Sequence, residues 1–236
     1  IYSNKREVFM KNIALILASG TGSRCKLGFP KQFAEINNKT ILEYTIDAFE
    51  NHELIDEIYL VTSKEFVEKV KKIVQKSNYK KIQTVITGGE TRKDSSYNGI
   101  SAIPYSNANV LIHDGVRPLI SKEIITNCIN TLKEKSAVCV TIESSDTIFV
   151  TNNNGVITSI PKRQTLKRAQ TPQCFKLDII KKAHELAKAD KTCLVTDDCG
   201  LIMNYNLADI YTIDGDTNNI KVTYPEDIEF VKKILN

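Results

Sequence analysis

The chain has 236 residues, 42% of them hydrophobic and 25% charged, with a formal net charge of +4. That composition excludes a disordered or fibrous protein, and the positive charge is too small and too scattered for a nucleic-acid footprint. The length suits one large α/β domain, and no apolar run reaches the ~20 residues of a membrane span.

Residues 1–11 are polar and lack the apolar core of a secretion signal, so a cytoplasmic protein bound to no membrane is expected. Met10 reads as a possible natural start, with residues 1–9 upstream of it; the domain is expected over residues 12–236, with residues 1–11 an N-terminal extension. The six cysteines (Cys25, Cys128, Cys139, Cys174, Cys193 and Cys199) contain no C-x-x-C pair. Neither a zinc site nor a disulfide framework is indicated, and reduced, small apolar side chains are expected.

The first element is the apolar run Ile13-Ala14-Leu15-Ile16-Leu17, a buried parallel strand. It feeds Ala18-Ser19-Gly20-Thr21-Gly22-Ser23-Arg24, and the loop closes at Pro30-Lys31-Gln32-Phe33. Glycines let a backbone turn tightly and aim N–H groups at phosphate oxygens, and Arg24 and Lys31 add two cations. The combination reads as a mouth for a polyanion, most simply a nucleoside triphosphate. It is not a P-loop, because no Gly-Lys-Ser/Thr follows the glycines. Nor is it the dinucleotide fingerprint, which needs a third glycine and an immediate helix. Cys25 lies in this loop without an activating neighbour and reads as a spacer.

Strand and helix then alternate. A helical stripe runs from Thr40 to Phe49, a strand over Glu57–Val61 and an amphipathic helix over Glu65–Gln75. Ile82–Thr87 is a strand ending in Gly88-Gly89, and Thr91–Ile103 is a helix that Thr91 would cap. Asn109–His113 is a short buried strand running into Asp114, followed by a helix over Lys122–Lys135 and a strand over Ala137–Ile142. Such alternation predicts a mostly parallel sheet with helices on both faces, and ligands bind at the carboxyl ends of its strands. Three of those ends carry polar residues: the first loop, Gly88-Gly89 with Ser95, and His113-Asp114. Asp114 beside a triphosphate suits Mg²⁺, with Arg117 in support; the alternative is a structural Asp114–Arg117 pair. A lone His113 reads as a hydrogen-bonded structural residue.

The alternation breaks at Ser144. Residues 144–170 hold short β-like pieces, Phe149-Val150 and Val156-Ile157, around the turn Asn152-Asn153-Asn154-Gly155. We read them as a protruding β-arm, packing either on a second subunit or on nothing. The arm carries Thr147 and Arg163, the latter among Lys162, Lys167 and Arg168, which suits an anionic partner or a solvated basic face. Ala169-Gln170-Thr171-Pro172-Gln173 reads as a polar return from arm to core. Helices follow at Leu177–Lys188 and Asp197–Asn204, a strand at Asp209–Ile213 and a last helix at Pro225–Leu235. Lys221 falls in a β-like run, Asn219–Thr223, where it either reaches the site or guards an edge.

These motifs, in this order, resemble the cytidylyltransferases that make CDP-activated polyols, the family of the 2-C-methyl-D-erythritol 4-phosphate and ribitol-5-phosphate enzymes. The resemblance covers nearly all of the chain from Asn12 onward. It implies a single Rossmann-like nucleotidyltransferase domain that takes CTP, Mg²⁺ and a polyol phosphate and releases pyrophosphate. It implies that Ala18, Ser19, Gly20, Gly22, Gly89 and Ser95 hold CTP, that Arg24, Lys31 and Lys221 stabilise charge in catalysis, and that Asp114 holds the metal. It implies further that Thr147 and Arg163 grip the polyol phosphate across a homodimer that exchanges arms, and that Thr171 and Thr196 line the substrate side. Arg163-Gln164-Thr165-Leu166, Tyr97-Asn98-Gly99 and Thr196-Asp197-Asp198-Cys199 resemble the methylerythritol branch. Ser159-Ile160-Pro161 and Thr141-Ile142-Glu143 resemble the ribitol branch. Lys167 replaces a tryptophan common in the former, and Ser19 stands where alanine or glycine is usual. The balance favours methylerythritol phosphate.

Overall fold

The structure is a computed structural model that describes residues 10–20 and 28–235. Its centre is a seven-stranded sheet made of β1 (Lys11–Ala18), β4 (Glu57–Thr62), β5 (Ile82–Thr87), β6 (Ala108–Asp114), β7 (Ala137–Glu143), β10 (Lys167–Lys176) and β11 (Ile210–Asp214), in the order β11-β7-β10-β6-β1-β4-β5. A two-residue pair, β2 (Glu35–Ile36) with β3 (Lys39–Thr40), and the hairpin β8 (Val150–Thr151) with β9 (Ile157–Ser159) complete the strands. All pairings within the large sheet are parallel except those of β10.

The exception follows from connectivity. Strands β4, β5, β6 and β7 are each reached through a helical crossover that brings the chain back in the same direction; the arm between β7 and β10 is a hairpin-like excursion that reverses it, and the two helices between β10 and β11 reverse it again. Thr141 to Glu143 pair with Ala169 to Lys167, so this ladder runs up to the base of the arm.

Alternation along β1 splits the core in two. Ile13, Leu15 and Leu17 face one layer, with Ile100, Ile103, Leu177, Ile180, Leu201 and Ile202. Those residues come from α3 (Arg92–Ala102), α5 (Leu177–Ala189), α6 (Asp198–Asn204) and their borders. Ala14, Ile16 and Ala18 face the other layer, with Leu42, Ile46, Phe49, Val70, Ile125 and Ile129. That layer is built by α1 (Ile41–Glu50), α2 (Val67–Ser77) and α4 (Lys122–Thr131). Helix α7 (Pro225–Leu235) packs Val231 with Val116, Val222 and Ile41 in a third cluster.

Local capping decides where helices begin. Thr40 accepts from the Glu43 N–H while the Glu43 carboxylate accepts from the Thr40 N–H, and Thr91 and Asp94 repeat the arrangement at α3. The expected cap at Thr91 is therefore present. Strand β1 begins at Lys11, inside the expected extension, and the Lys11 ammonium pairs with Glu57.

Two expectations are corrected. The Ala169–Gln173 segment is not a bare return but the middle of β10, so the arm spans about 144–166. Its polarity hid the strand: Gln170, Thr171 and Gln173 are buried, each bonded to partners distant in sequence, and the ladder shifts register between Ala169 and Gln173. The Asn219–Thr223 run joins no sheet; the Val222 N–H instead donates to the Val116 carbonyl. Among the described residues no helix is long and apolar enough to cross a membrane.

Candidate active site

The carboxyl ends of β1, β5 and β6 meet in a cleft of about 390 Å³, as the three polar strand ends predict. Ala18, Ser19 and Gly20 form one wall, Gly89 to Arg92 and Ser95 the opposite one, and Lys31, Asp114 and Lys221 complete the lining. Eight of the expected site residues are thus brought together. Arg24 and Gly22 lie outside the described residues, as does Cys25.

Each wall is fixed by hydrogen bonds. The buried Gln32 amide donates to the carbonyls of Ala18 (2.9 Å) and Gly20 (3.0 Å), tying the short 3₁₀ turn Lys31–Phe33 to the first loop. The Ser19 hydroxyl donates to Ser95 Oγ at 2.8 Å, and the Gly89 N–H reaches the same oxygen at 3.2 Å, so Ser95 staples the two walls. Gly89 is required there, because a Cβ would lie 2.3 Å from that of Asp94. The close approach serves the α3 cap and leaves the backbone bare toward the cleft.

Asp114 is the electrostatic centre. Its Oδ2 lies 2.9 Å from Lys221 Nζ and 3.5 Å from Arg117 Nε, and its Oδ1 lies 3.6 Å from Arg92 Nε. Burial alone would raise its pKa, but Lys221, Arg92 and Arg117 overcome that and hold the carboxyl far below the usual range. The Asp114–Arg117 pair of the structural reading is present, at 3.5 Å. Arg117 also donates to the Asn219 carbonyl at 2.7 Å, and the Asn219 amide donates to the Thr171 carbonyl at 3.0 Å. These bonds, with that of Val222, carry Lys221 to the cleft without a strand.

Beneath the floor the protonation pattern is determined. The Asp114 N–H donates to Thr171 Oγ1 (3.1 Å), the Thr171 hydroxyl donates to His113 Nδ1 (3.0 Å), and His113 Nε2–H donates to the Arg117 carbonyl (3.2 Å). Burial pushes His113 down to about 4, so the imidazole is neutral and structural, as expected. Thr171 is buried with its hydroxyl committed to this chain and does not line the cleft.

Arg92, Gln32, Gln173 and Asp198 escaped the sequence reading as site-builders. Arg92 Nη1 lies 2.7 Å from Asp198 Oδ2. Burial raises the Asp198 pKa, but Arg92 outweighs it and leaves the group at about 2. One signal was available: Arg92 opens α3, where a cation opposes the helix dipole and so calls for carboxylates nearby. Asp197 caps α6, as its sequence suggests, by accepting from the Gly200 N–H. Thr196, just before it, is exposed and outside the lining of the cleft. Thr147 and Arg163 are also outside it, exposed on the arm, where Arg163 Nη2 donates to Thr147 Oγ1 at 3.1 Å.

Asp114 Oδ1 lies 3.6 Å from Arg92 Nε and has no shorter ion pair among the described residues. No cluster of three His, Cys, Asp or Glu side chains suited to a metal occurs among the described residues. That donor set fits a Mg²⁺ that brings phosphate oxygens and water with it and takes a single carboxylate from the protein.

Comparison with known proteins agrees with this geometry. Residues 12–236 match the family model described as "IspD: 2-C-methyl-D-erythritol 4-phosphate cytidylyltransferase". The chain is 40% identical over 226 residues to the 2-C-methyl-D-erythritol 4-phosphate cytidylyltransferase of Clostridium botulinum (strain Loch Maree / Type A3), covering 95% of this chain and 97% of that one. It is 39% identical over 232 residues to the bifunctional ribulose 5-phosphate reductase/CDP-ribitol pyrophosphorylase Bcs1 of Haemophilus influenzae, covering 95% of this chain but 48% of that protein. The crystal structure of 4-diphosphocytidyl-2C-methyl-D-erythritol synthase from Anaerococcus prevotii DSM 20548 superposes with a TM-score of 0.84 at 32% identity, over 96% of this chain and 98% of that one. The chain therefore belongs to the 2-C-methyl-D-erythritol 4-phosphate cytidylyltransferase family.

Proposed function

We propose that this enzyme transfers the cytidylyl group of CTP to 2-C-methyl-D-erythritol 4-phosphate, giving 4-diphosphocytidyl-2-C-methyl-D-erythritol and pyrophosphate. The carrying observation is a cleft with Lys31, Arg92 and Lys221 on its lining and a buried carboxylate, Asp114, paired with Arg92 and Lys221. Such a cleft favours a polyanion over a neutral ligand.

CTP lies against Ala18, Ser19, Gly20, Gly89 and Ser95, with its triphosphate toward Lys31. A phosphate oxygen of the polyol phosphate is already a nucleophile at neutral pH. It attacks the α-phosphorus, one P–O bond forms, the α–β P–O bond breaks, and the electron pair leaves on pyrophosphate. No covalent enzyme intermediate is needed, so positioning and charge neutralisation supply the acceleration. Lys31 and Arg24 meet charge that grows on the phosphates, and Lys221, held by Asp114, faces the incoming phosphate. Mg²⁺, when bound, neutralises phosphate charge, with Asp114 as its protein ligand.

Thr147 and Arg163 hold the polyol phosphate of a partner subunit. Six large apolar side chains of the arm are exposed: Ile148, Phe149, Val150, Val156, Ile157 and Ile160. An apolar surface of this kind supports an arm covered by a second copy of the chain in a homodimer. A cytoplasmic location accords with the chemistry, since CTP is an intracellular nucleotide.

The methylerythritol substrate is supported by the family match and by relatives of that name at 40% identity. D-ribitol 5-phosphate is the second reading, favoured by the 39% identity to the CDP-ribitol pyrophosphorylase. Pyrophosphate release from CTP and Mg²⁺, run in parallel with each polyol phosphate, decides between them. Turnover on the first alone confirms the assignment; turnover on the second alone replaces it with CDP-ribitol synthesis; neither, with CTP still bound, refutes both.

A further inference from the structure

Two aspartates on different elements, Asp114 and Asp198, meet on one side chain, Arg92. Arg92 is the first residue of α3, directly after the Gly89 turn that walls the nucleotide cleft. Its guanidinium reaches Asp114 on one side (3.6 Å) and Asp198 on the other (2.7 Å). Asp198 is nearly inaccessible, and its Oδ1 accepts from the Ser96 hydroxyl at 2.6 Å, with His184 Nε2 3.4 Å away. It opens α6, two residues after Thr196.

The backbone of that turn is held from below. Gln173 Oε1 accepts from the N–H groups of Asp198 (3.0 Å) and Cys199 (3.1 Å), and the Gln173 amide donates to Asp197 Oδ2 at 2.7 Å. Two residues along β10, Thr171 accepts from the Asp114 N–H. Asp114 and Asp198 are therefore joined twice, through the β10 backbone beneath and through Arg92 above. The Arg92 link runs through the start of α3, which Ser96 also ties to Asp198, and is the one that reaches Asp114 directly. The first-turn N–H groups of α6 are already satisfied by Gln173 and Asp197, so this helix end is a rigid support and not an anion site.

We propose that Arg92 is a positioning residue for the polyol phosphate: it holds the Thr196–Asp198 turn at a fixed distance from Asp114 and Lys221. Without the Arg92 contact the turn keeps its bonds to Gln173 and Ser96 but loses its direct tie to Asp114, and Thr196, two residues before Asp198, loses its fixed distance from Lys221. The inference rests on reading Thr196 as part of the polyol side of the site.

The test compares Arg92→Gln, Arg92→Lys and the double variant Arg92→Gln/Asp198→Asn with the wild type. Arg92→Gln is expected to lower kcat/KM for the polyol phosphate by about 10- to 100-fold, mainly through KM, a clearly larger loss than the one in CTP affinity, measured by calorimetry, that follows from removing a cation of the cleft lining. Hydrogen exchange at the amides of Asp198, Cys199 and Gly200 should quicken, and Arg92→Lys should restore part of the kcat/KM. The double variant removes both charges and so avoids an unpaired buried carboxylate; it should fold and keep the polyol defect. An equal loss in CTP affinity, or a wild-type kcat/KM in either glutamine variant, overturns the proposal. If the wild type turns over neither polyol, the functional reading fails instead, and unchanged amide exchange in Arg92→Gln then overturns the link on its own.

Discussion

The cleft and the arm solve opposite problems. In the cleft, charged and polar groups are buried and satisfied within one chain: Asp114 has three cationic partners, Asp198 has Arg92 and Ser96, and Gln32, Gln173 and Asn219 each bond to backbone or carboxylate. On the arm, Thr147 and Arg163 bond to each other, and large apolar side chains stand in the open. A preorganised site needs the first arrangement, because groups already aimed at developing charge need no reorganisation during reaction. The second arrangement suits a part that is completed by docking.

The sharpest way to break this contrast is at Lys31, buried in the cleft lining. Lys31→Ala should lower kcat by about 10²–10³-fold with circular dichroism and melting temperature close to wild type. Turnover near the wild-type value would remove Lys31 from the reaction. Asp114→Asn follows: it strips Lys221, Arg92 and Arg117 of their common counter-charge. Activity should fall about 10²-fold and stability by about 3 kcal/mol, since unpaired buried cations are costly. A urea midpoint that does not move would show that the three cations are adequately solvated without it.

Much of this was legible beforehand, for a physical reason. Strands with apolar runs and helices with capping pairs three residues apart, such as Thr40–Glu43 and Thr91–Asp94, are encoded locally. So is the position of a loop at a strand end, which brought Ala18, Gly89 and Asp114 together in expectation as in the structure. Strand β10 was missed because polar residues inside a sheet look like loop until their partners are known. Gln170 finds Asp216, 46 residues away, and Gln173 finds Asp197, 24 away. Arg92 and Asp198 are 106 positions apart, and nothing local joins them. Lys221 lies at the cleft, one of the two positions its sequence allowed, but its support comes from Arg117 and Asn219 and not from a strand.

The arm gives a test that is independent of the cleft. Arg163→Ala should lower kcat/KM for the polyol phosphate by about tenfold or more, with CTP affinity unchanged. If the arm acts on a partner, mixing Arg163→Ala chains with Lys31→Ala chains should restore activity, because one of the two sites in each mixed dimer has an intact cleft and an intact arm. Free exchange of subunits would return roughly a quarter of the wild-type rate. Mixtures no more active than their components would mean that each arm serves its own chain. Sedimentation of Phe149→Ser/Ile160→Ser should show weakened association if those side chains are covered in a dimer.

The smallest effect separates the regions by acid. His113 lies beneath the cleft with its pKa pushed down to about 4 by burial, against an ordinary value of 6.5. The unfolded chain therefore takes up a proton at this residue before the folded chain does, so stability falls as pH drops below 6.5 and levels off below 4. Between pH 6.5 and 5 the loss is about 2 kcal/mol. His52, also lowered by burial, acts in the same direction, whereas the depressed carboxylates Asp114 and Asp198 contribute only below their ordinary value of 3.8. Urea midpoints for the nucleotide-free protein at pH 7 and pH 5 should differ accordingly. His113→Gln should be less stable at pH 7, because the Thr171–His113–Arg117 chain is cut, yet should lose less on acidification. An unchanged pH slope in that variant would mean that the imidazole is protonated in place, and the floor of the cleft would then be as open to water as the arm.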